Sequence, residues 1–201
     1  MTAGFLRLTI LPVTCAALLL LTACGTTAPT RFYLMNPMAE AGQAPMSEGN
    51  NGISIALTSV ELPEHLSRPQ MVTRQNGYLV RVDEFNRWAE PLEVQVSEIL
   101  AENLSMLLGT EGILIANRYK PTDFDFHLFI KILRFDGWPG KEATLVCRWN
   151  LGTADEPADV HTERFSATRP VEGSDYPDLV AALSLVLADL SREIAQRIAA
   201  E

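Results

Sequence analysis

An apolar run that stops at a cysteine divides this chain into two parts with different fates. Leu8 to Leu21, LTILPVTCAALLLL, is about fourteen mostly apolar residues, short of the roughly 20 that a bilayer-spanning helix needs. The preceding residues, MTAGFLR, carry one positive charge, Arg7. A short cationic start followed by an apolar core of this length is the pattern of a secretory signal. The folding body therefore begins near Cys24, and Cys24 has three conceivable roles: disulfide partner, metal ligand or site of a lipid.

The end of the run selects among them. A plain secretory signal closes on small residues of the A-x-A kind. Here the sequence is Leu21-Thr22-Ala23-Cys24, which resembles the bacterial lipobox. In such signals the thiol receives a diacylglycerol group, the leader is cut just before the cysteine, and the new amino group is acylated. The residue types suit that chemistry, with a small residue ahead of an accessible thiol. The alternatives are an uncleaved anchor or a secreted protein with a free thiol. Of the other cysteines, Cys15 lies inside the leader, and Cys147 lies in the apolar stretch TLVCRW. With Cys24 acylated, Cys147 has no intramolecular partner and reads as a buried small hydrophobe. One acyl chain holds a protein marginally, whereas two or more hold it firmly, at about 0.8 kcal/mol per buried CH₂. Gly25 follows the cysteine. By resemblance to enterobacterial sorting, where an Asp at that position retains a lipoprotein in the inner membrane, this protein goes to the outer membrane and faces the periplasm.

Charge limits what the body can touch. The formal net charge is −9, and losing Arg7 with the leader takes it to −10. Such a domain is a poor nucleic-acid binder, because phosphate contacts need clustered Lys and Arg. On net charge it is also expected to stand off anionic lipid, leaving membrane contact to the tether.

Three parts are expected: the leader (1–23), a lipidated tether with a short strand and a loop (24–51), and one folded domain (52–201). Arg31 to Asn36 is a short strand candidate, and 38–51 reads as loop. Ile53 to Val60 alternates as a strand, and Leu62 to Pro69, with two prolines, reads as a turn-rich connection. Gln70 to Arg74 and Tyr78 to Val82 flank Asn76-Gly77, the strongest short hairpin signal because both residues tolerate positive φ. Pro91 to Leu108 is an amphipathic helix with Leu92, Val96, Ile99, Leu100, Leu104, Leu107 and Leu108 on one stripe, proline in the first turn and Gly109 at the stop. Ile113 to Ala116 is a short strand. Asp123 to Phe135 is a long one, and Glu142 to Leu151 and Asp159 to Thr168 are two more, joined by an acidic turn. Tyr176 to Ala199 is a second helix. Its stripe runs from Leu179 to Ile198 and is widened by Val180, Leu187 and three alanines, as an oligomer interface or a deeply buried helix would be. Antiparallel hairpins with two segregated helices give the α+β class: one sheet packed against two long amphipathic helices in a single domain.

Chemistry-bearing motifs are absent: no H-E-x-x-H, no C-x-x-C, no phosphate-cradling glycine loop and no G-x-S-x-G. Asp123, Asp125 and His127 alternate onto one strand face. Residues i and i+4 on a strand stand about 13 Å apart, too far for one ion with ligand bonds near 2 Å, so this reads as a solvated face. Trp88, in DEFNRWAEPL, is either the cap of the core at the start of the helix or part of a binding loop, since aromatics mark interfaces. Trp138, in FDGWPG, raises the same question at a turn.

These stretches together resemble the auxiliary lipoproteins of bacterial ABC-type intermembrane lipid transport systems, the paraquat-inducible protein C group. The matching residues are F-Y-L at 32–34, V-E-L-P-E-H-L at 60–66, W-A-E-P-L at 88–92, E-N-L-S at 102–105, F-D-G at 135–137, R-W at 148–149 and I-A-Q-R-I at 194–198. The resemblance implies a non-enzymatic lipoprotein. Its partners would be a periplasmic protein with MCE domains (mammalian cell entry modules) and an inner-membrane permease system, and it would sit at the outer-membrane end of a conduit, as a ring of copies in one arrangement. It implies no metal and no cofactor beyond the covalent diacylglycerol and N-acyl chain on Cys24. No ligand set carries over, so Trp88, Pro91 and Leu92 stand as motif positions for a partner contact. Two other readings remain open: a lipid-binding carrier, and a periplasmic enzyme with residues assembled from distant positions.

Overall fold

The computed structural model describes residues 28–38, 52–115, 124–153 and 162–200. The leader, Cys24, Asp123, most of the 38–51 loop and the acidic turn after residue 153 lie outside the described residues. The elements run β1 (Arg31–Tyr33), β2 (Ile55–Glu61), a 3-10 turn (Glu64–Leu66), β3 (Gln70–Arg74), β4 (Val80–Trp88), α1 (Leu92–Leu108), β5 (Ile113–Ile115), β6 (Phe126–Trp138), β7 (Glu142–Thr153), β8 (Thr162–Pro170) and α2 (Tyr176–Ile198).

Period-two patterning builds the larger sheet, of order β5-β2-β6-β7-β8. Along β6, Leu128, Ile130 and Ile132 are buried while Phe129, Lys131 and Leu133 are exposed. Along β7, Ala143, Leu145, Cys147 and Trp149 are buried. Successive side chains of a strand point to opposite faces, so one face is core and the other meets solvent. A register shift between Ile132 and Arg134 moves the sequel, and Phe135 and Asp136 are both buried. The outermost strand, β8, buries only Phe165 and carries charges, as an edge strand that must not recruit another strand does.

The fold is α+β, as the sequence indicates. The expected hairpins β3–β4, β6–β7 and β7–β8 are antiparallel. Three pairings are parallel: β1 with β4, β2 with β5 and β2 with β6. There are accordingly two sheets, the second of order β1-β4-β3. β3 lies against β6, and Arg74 crosses from one sheet to the other to Asp136, with Nη2 2.7 Å from Oδ2.

Both helices bury the expected stripe. Pro91 stands at the start of α1, and Gly109 ends it in the left-handed region (φ 63°, ψ 38°), which costs a glycine little. α1 packs on β2 and β5, α2 on β6, β7 and β8, and the helices pack on each other. α2 is therefore covered on two sides, which accounts for the burial of Val180, Leu187, Ala188 and Ala195 beyond the main stripe; Ala181 is exposed. Arg169 of β8 clasps Asp189 of α2 through two 2.7 Å hydrogen bonds.

Two local expectations are corrected. The β3–β4 connection is a five-residue loop, closed by Gln75 N–H donating to Leu79 O at 2.9 Å. Neither Asn76 nor Gly77 has positive φ. The Asn76 side-chain oxygen instead accepts the Tyr78 and Leu79 N–H groups, at 3.0 and 2.8 Å, an Asx turn that replaces the two-residue backbone turn. His127 is buried and not on a solvated face: its ring meets Phe124 edge-on at 6.3 Å.

Candidate functional site: the anchor segment and its cleft

Residues 31–38, the first strand and the stretch after it, are built into the body. β1 joins β4, and the chain then continues as Leu34–Met38 between α1 and α2. A lone extended segment leaves its backbone donors unpaired, and buried donors need partners. Side chains supply them here. Met35 N–H donates to Gln95 Oε1 at 3.1 Å, Asn36 N–H to Ser184 Oγ at 3.2 Å, and Met38 N–H to Asn103 Oδ1 at 2.7 Å. The acceptors are themselves tied down. Gln95 Nε2 donates to Glu90 O, Asn103 Nδ2 to Ser191 Oγ, Ser184 Oγ to Val180 O, and Ser191 Oγ to Leu187 O. Gln95 and Asn103 come from α1, and Ser184 and Ser191 from α2. All four are buried, as are the Met35 and Met38 side chains.

Tyr33 and Tyr176 fasten the upstream end. Their rings stand 6.1 Å apart, and Tyr33 Oη donates to Asn86 Oδ1 at 2.8 Å. Tyr176 Oη donates to Asp83 Oδ2 at 2.9 Å. Burial pushes Asp83 upward, but hydrogen bonds from Phe85, Tyr176 and Asn86 outweigh it and hold the carboxyl below the usual range. Burial first, and the Asp83 carboxylate second, push the Tyr176 phenol up to about 12. A general acid–base pair wants values near the working pH; these two move away from neutrality in opposite directions and act as a structural link.

Beside the segment is a largely apolar cleft of about 470 Å³ between Tyr33, Leu34 and Met38 on one side and Val180, Ala181 and Leu185 of α2 on the other. Its size lies in the range of small-ligand sites.

The motif positions divide. Trp88 and Leu92 are buried in the core, and Pro91 is exposed at the corner before α1. Trp88 N–H donates to Pro69 O at 2.7 Å, and Ala89 N–H to Tyr33 O at 2.9 Å. A second hollow of about 320 Å³ opens there between Arg68, Pro69, Glu90 and Pro91. Trp88 thus serves the core, and the exposed rim of the corner is Ala89, Glu90 and Pro91. Trp138 is half-buried, with Lys141 Nζ 3.9 Å above its ring.

The remaining candidates separate. Asp125 accepts from Ser54 N–H and Oγ at 2.8 and 2.7 Å, bonds that hold it below the usual carboxylate range. Among the described residues no group of His, Cys, Asp and Glu could hold a metal ion. Cys147 is fully buried, and burial pushes its thiol up to about 12, the opposite of an activated nucleophile. Among the described residues, no helix is long and apolar enough to cross a membrane.

Sequence reading missed Gln95, Asn103, Ser184 and Ser191. The signal was spacing: Asn103 follows Ile99 by four, Ser184 follows Val180 by four, and Ser191 follows Leu187 by four. A polar residue on an apolar stripe is buried with its stripe and needs partners.

A family model described as the ABC-type transport auxiliary lipoprotein component matches residues 33–195. A crystal structure of an uncharacterized protein is similar over 85% of this chain and 99% of its own, at 19% identity and a TM-score of 0.69. A Xanthomonas campestris protein of the DUF330 family is similar over 84% of this chain and 91% of its own, at 17% identity and a TM-score of 0.60. At these identities the likeness is one of fold. No curated protein matches the chain.

Proposed function

This chain belongs to the family of ABC-type transport auxiliary lipoprotein components, and from that premise we propose that it is a docking subunit without catalytic chemistry. It is held by lipid on Cys24 in the outer membrane, faces the periplasm, and receives an MCE-domain protein of an intermembrane lipid transport system. The observation that carries this reading is the lock on the anchor segment. Residues 31–38 are paired with β4 and bonded to both helices. A load on the tether therefore passes into the core instead of unravelling a loose arm. An adaptor between a bilayer and a partner complex needs that property.

The Trp88 corner serves as the partner-facing rim. It lies at the carboxyl end of β4, where Trp88 is level with Tyr33 of β1. Affinity capture of the lipidated protein from outer membranes should recover an MCE-domain protein, and Glu90→Arg should reduce the yield. Recovery of no MCE-domain protein while that partner is expressed contradicts the reading.

The apolar cleft beside Leu34 and Val180 supports a second reading, in which the body itself carries an acyl chain. Native mass spectrometry of the Cys24→Ser chain decides between them: co-purified lipid supports a carrier, and a clean protein mass supports docking alone.

A further inference from the structure

β1 runs parallel to β4, so its amino end points toward the end where β4 begins. That end is the β3–β4 loop, where Tyr78 is 100% exposed and Leu79 and Val80 are exposed beside it. Arg31 sits level with Asn86. Returning from Asn86 to Val80 along β4 takes six residues, about 20 Å. The seven residues from Arg31 back to Cys24 reach at most about 25 Å. A bilayer that holds Cys24 is therefore within range of the loop. Trp88, two residues or about 7 Å beyond Asn86 on the other side, lies within the same reach, so the exposed groups at the loop, and not the tether length, select this end.

Beside this apolar tip is a cleft of about 460 Å³ whose walls include Arg74, Asn76, Arg134, Trp138, Lys141 and Glu142. Three cations meet one surface carboxylate there, in a chain whose net charge is −9. The cations are held in place. Asp136, its side chain wholly buried, accepts Arg74 Nε at 2.8 Å on one oxygen and Arg134 Nε at 2.8 Å on the other. The two terminal nitrogens of Arg134 make no hydrogen bond to the described residues, and Lys141 is braced on the Trp138 ring. An exposed tyrosine, an apolar neighbour, a tryptophan and partly exposed cations on one end form the set that the headgroup layer of a bilayer accommodates. The rings take the amphipathic boundary, and the cations take lipid phosphate.

We propose that this end of the molecule rests on phospholipid, with Tyr78 and Leu79 at the headgroup–acyl boundary and Arg134 and Lys141 on lipid phosphates. The protein then holds its membrane twice, once by the lipid on Cys24 and once by this contact. The body stands end-on with the Trp88 corner turned toward the periplasm. On this proposal the stand-off expected from net charge gives way at this end, because charge is not evenly spread. The inference rests on the reading that Cys24 is the lipidated residue, which brings a bilayer within reach of the loop.

The test uses the mature lipidated protein in vesicles of phosphatidylethanolamine and phosphatidylglycerol, with a bimane label on Gly77→Cys or on Glu90→Cys. A side chain at Gly77 meets nothing within 4 Å, and buried Cys147 does not compete for label. Doxyl-labelled lipid should quench bimane at position 77 several-fold more than at position 90. Equal, weak quenching at both positions overturns the proposal. Tyr78→Ser with Leu79→Ser should abolish the difference, and Arg134→Gln with Lys141→Gln should remove its dependence on phosphatidylglycerol; persistence of either overturns that part. Co-sedimentation with the vesicles reports lipidation separately. A Cys24→Ser chain tethered at its amino end to nickel-chelating lipid tests the contact should lipidation fail.

Discussion

The Asn103 side chain accepts the Met38 backbone N–H at 2.7 Å across 65 residues of sequence, and with its other end donates to Ser191 on the opposite helix. One amide thus joins the anchor segment, α1 and α2. Asn103→Leu leaves a buried N–H and a buried hydroxyl short of a partner, at a cost of about 1–3 kcal/mol. Urea unfolding should show that loss. Amide exchange at Met35 to Met38 should accelerate more than exchange in β6 and β7, because the clamp opens before the sheet does.

Asp136 carries two arginines with no exposure of its own side chain. Asp136→Ala removes both ion pairs and leaves two partly exposed arginines without the carboxylate they share. Arg74→Ala leaves Arg134 in place. Hydrogen bonds to charged groups contribute about 1.5–3 kcal/mol, and the arginines are partly exposed, which lowers the gain from each. Asp136→Ala should therefore cost about 2–3 kcal/mol, and Arg74→Ala clearly less. Denaturation midpoints of the two variants check the order.

Gly137 has no room for a side chain. A Cβ there would stand 2.5 Å from Glu142 O and 2.7 Å from a Leu179 methyl. The β6–β7 ladder and α2 meet at that point, so Gly137→Ala should destabilise by about 1–3 kcal/mol through overpacking. Thermal unfolding checks this, with Gly77→Ala, which meets nothing within 4 Å, as the neutral control.

Alkaline pH should weaken the fold in two windows. Burial pushes Cys147 from an ordinary value of 9.0 up to about 12. Burial and Asp83 push Tyr176 from 10.0 up to about 12. Both groups are raised in the folded state, so their contributions are complete below the unfolded values and disappear as pH rises toward 12. Stability should fall from about pH 9, and Cys147→Ala should delay the onset to about pH 10. In the native Cys24→Ser chain, a thiol reagent at pH 8 should leave Cys147 unmodified until the protein is unfolded.

Much of the fold is legible in the sequence because its information is local. The Leu128–Ile132 alternation, the α1 stripe and the Gly109 stop each announce themselves within a few residues. Pairings between distant segments do not. Nothing within RFY says that Arg31 lies beside Asn86 in parallel, and nothing within IALTSVE says that it divides its two edges between β5 and β6. The Asn76-Gly77 turn misleads because an asparagine side chain can close a loop in more than one way. The site was least legible. Asn103 and Ser191 look polar and therefore exposed, and only the fold shows that they sit where the chain needs donors and acceptors. The motifs in the resemblance acquire physical content here: F-Y-L supplies Tyr33, E-N-L-S supplies Asn103, and F-D-G supplies the Asp136 that holds two arginines and the Gly137 that lets α2 approach.

The account rests on a lipid at Cys24, so the most direct measurement is the intact mass of the protein extracted from the membrane fraction of cells. The mature chain should begin at Cys24, carry a diacylglyceryl group on sulfur and an acyl chain on nitrogen, and leave the membrane fraction in the Cys24→Ser form. A chain beginning at Met1 with a free thiol, or a Cys24→Ser chain that stays with the membrane, contradicts the account.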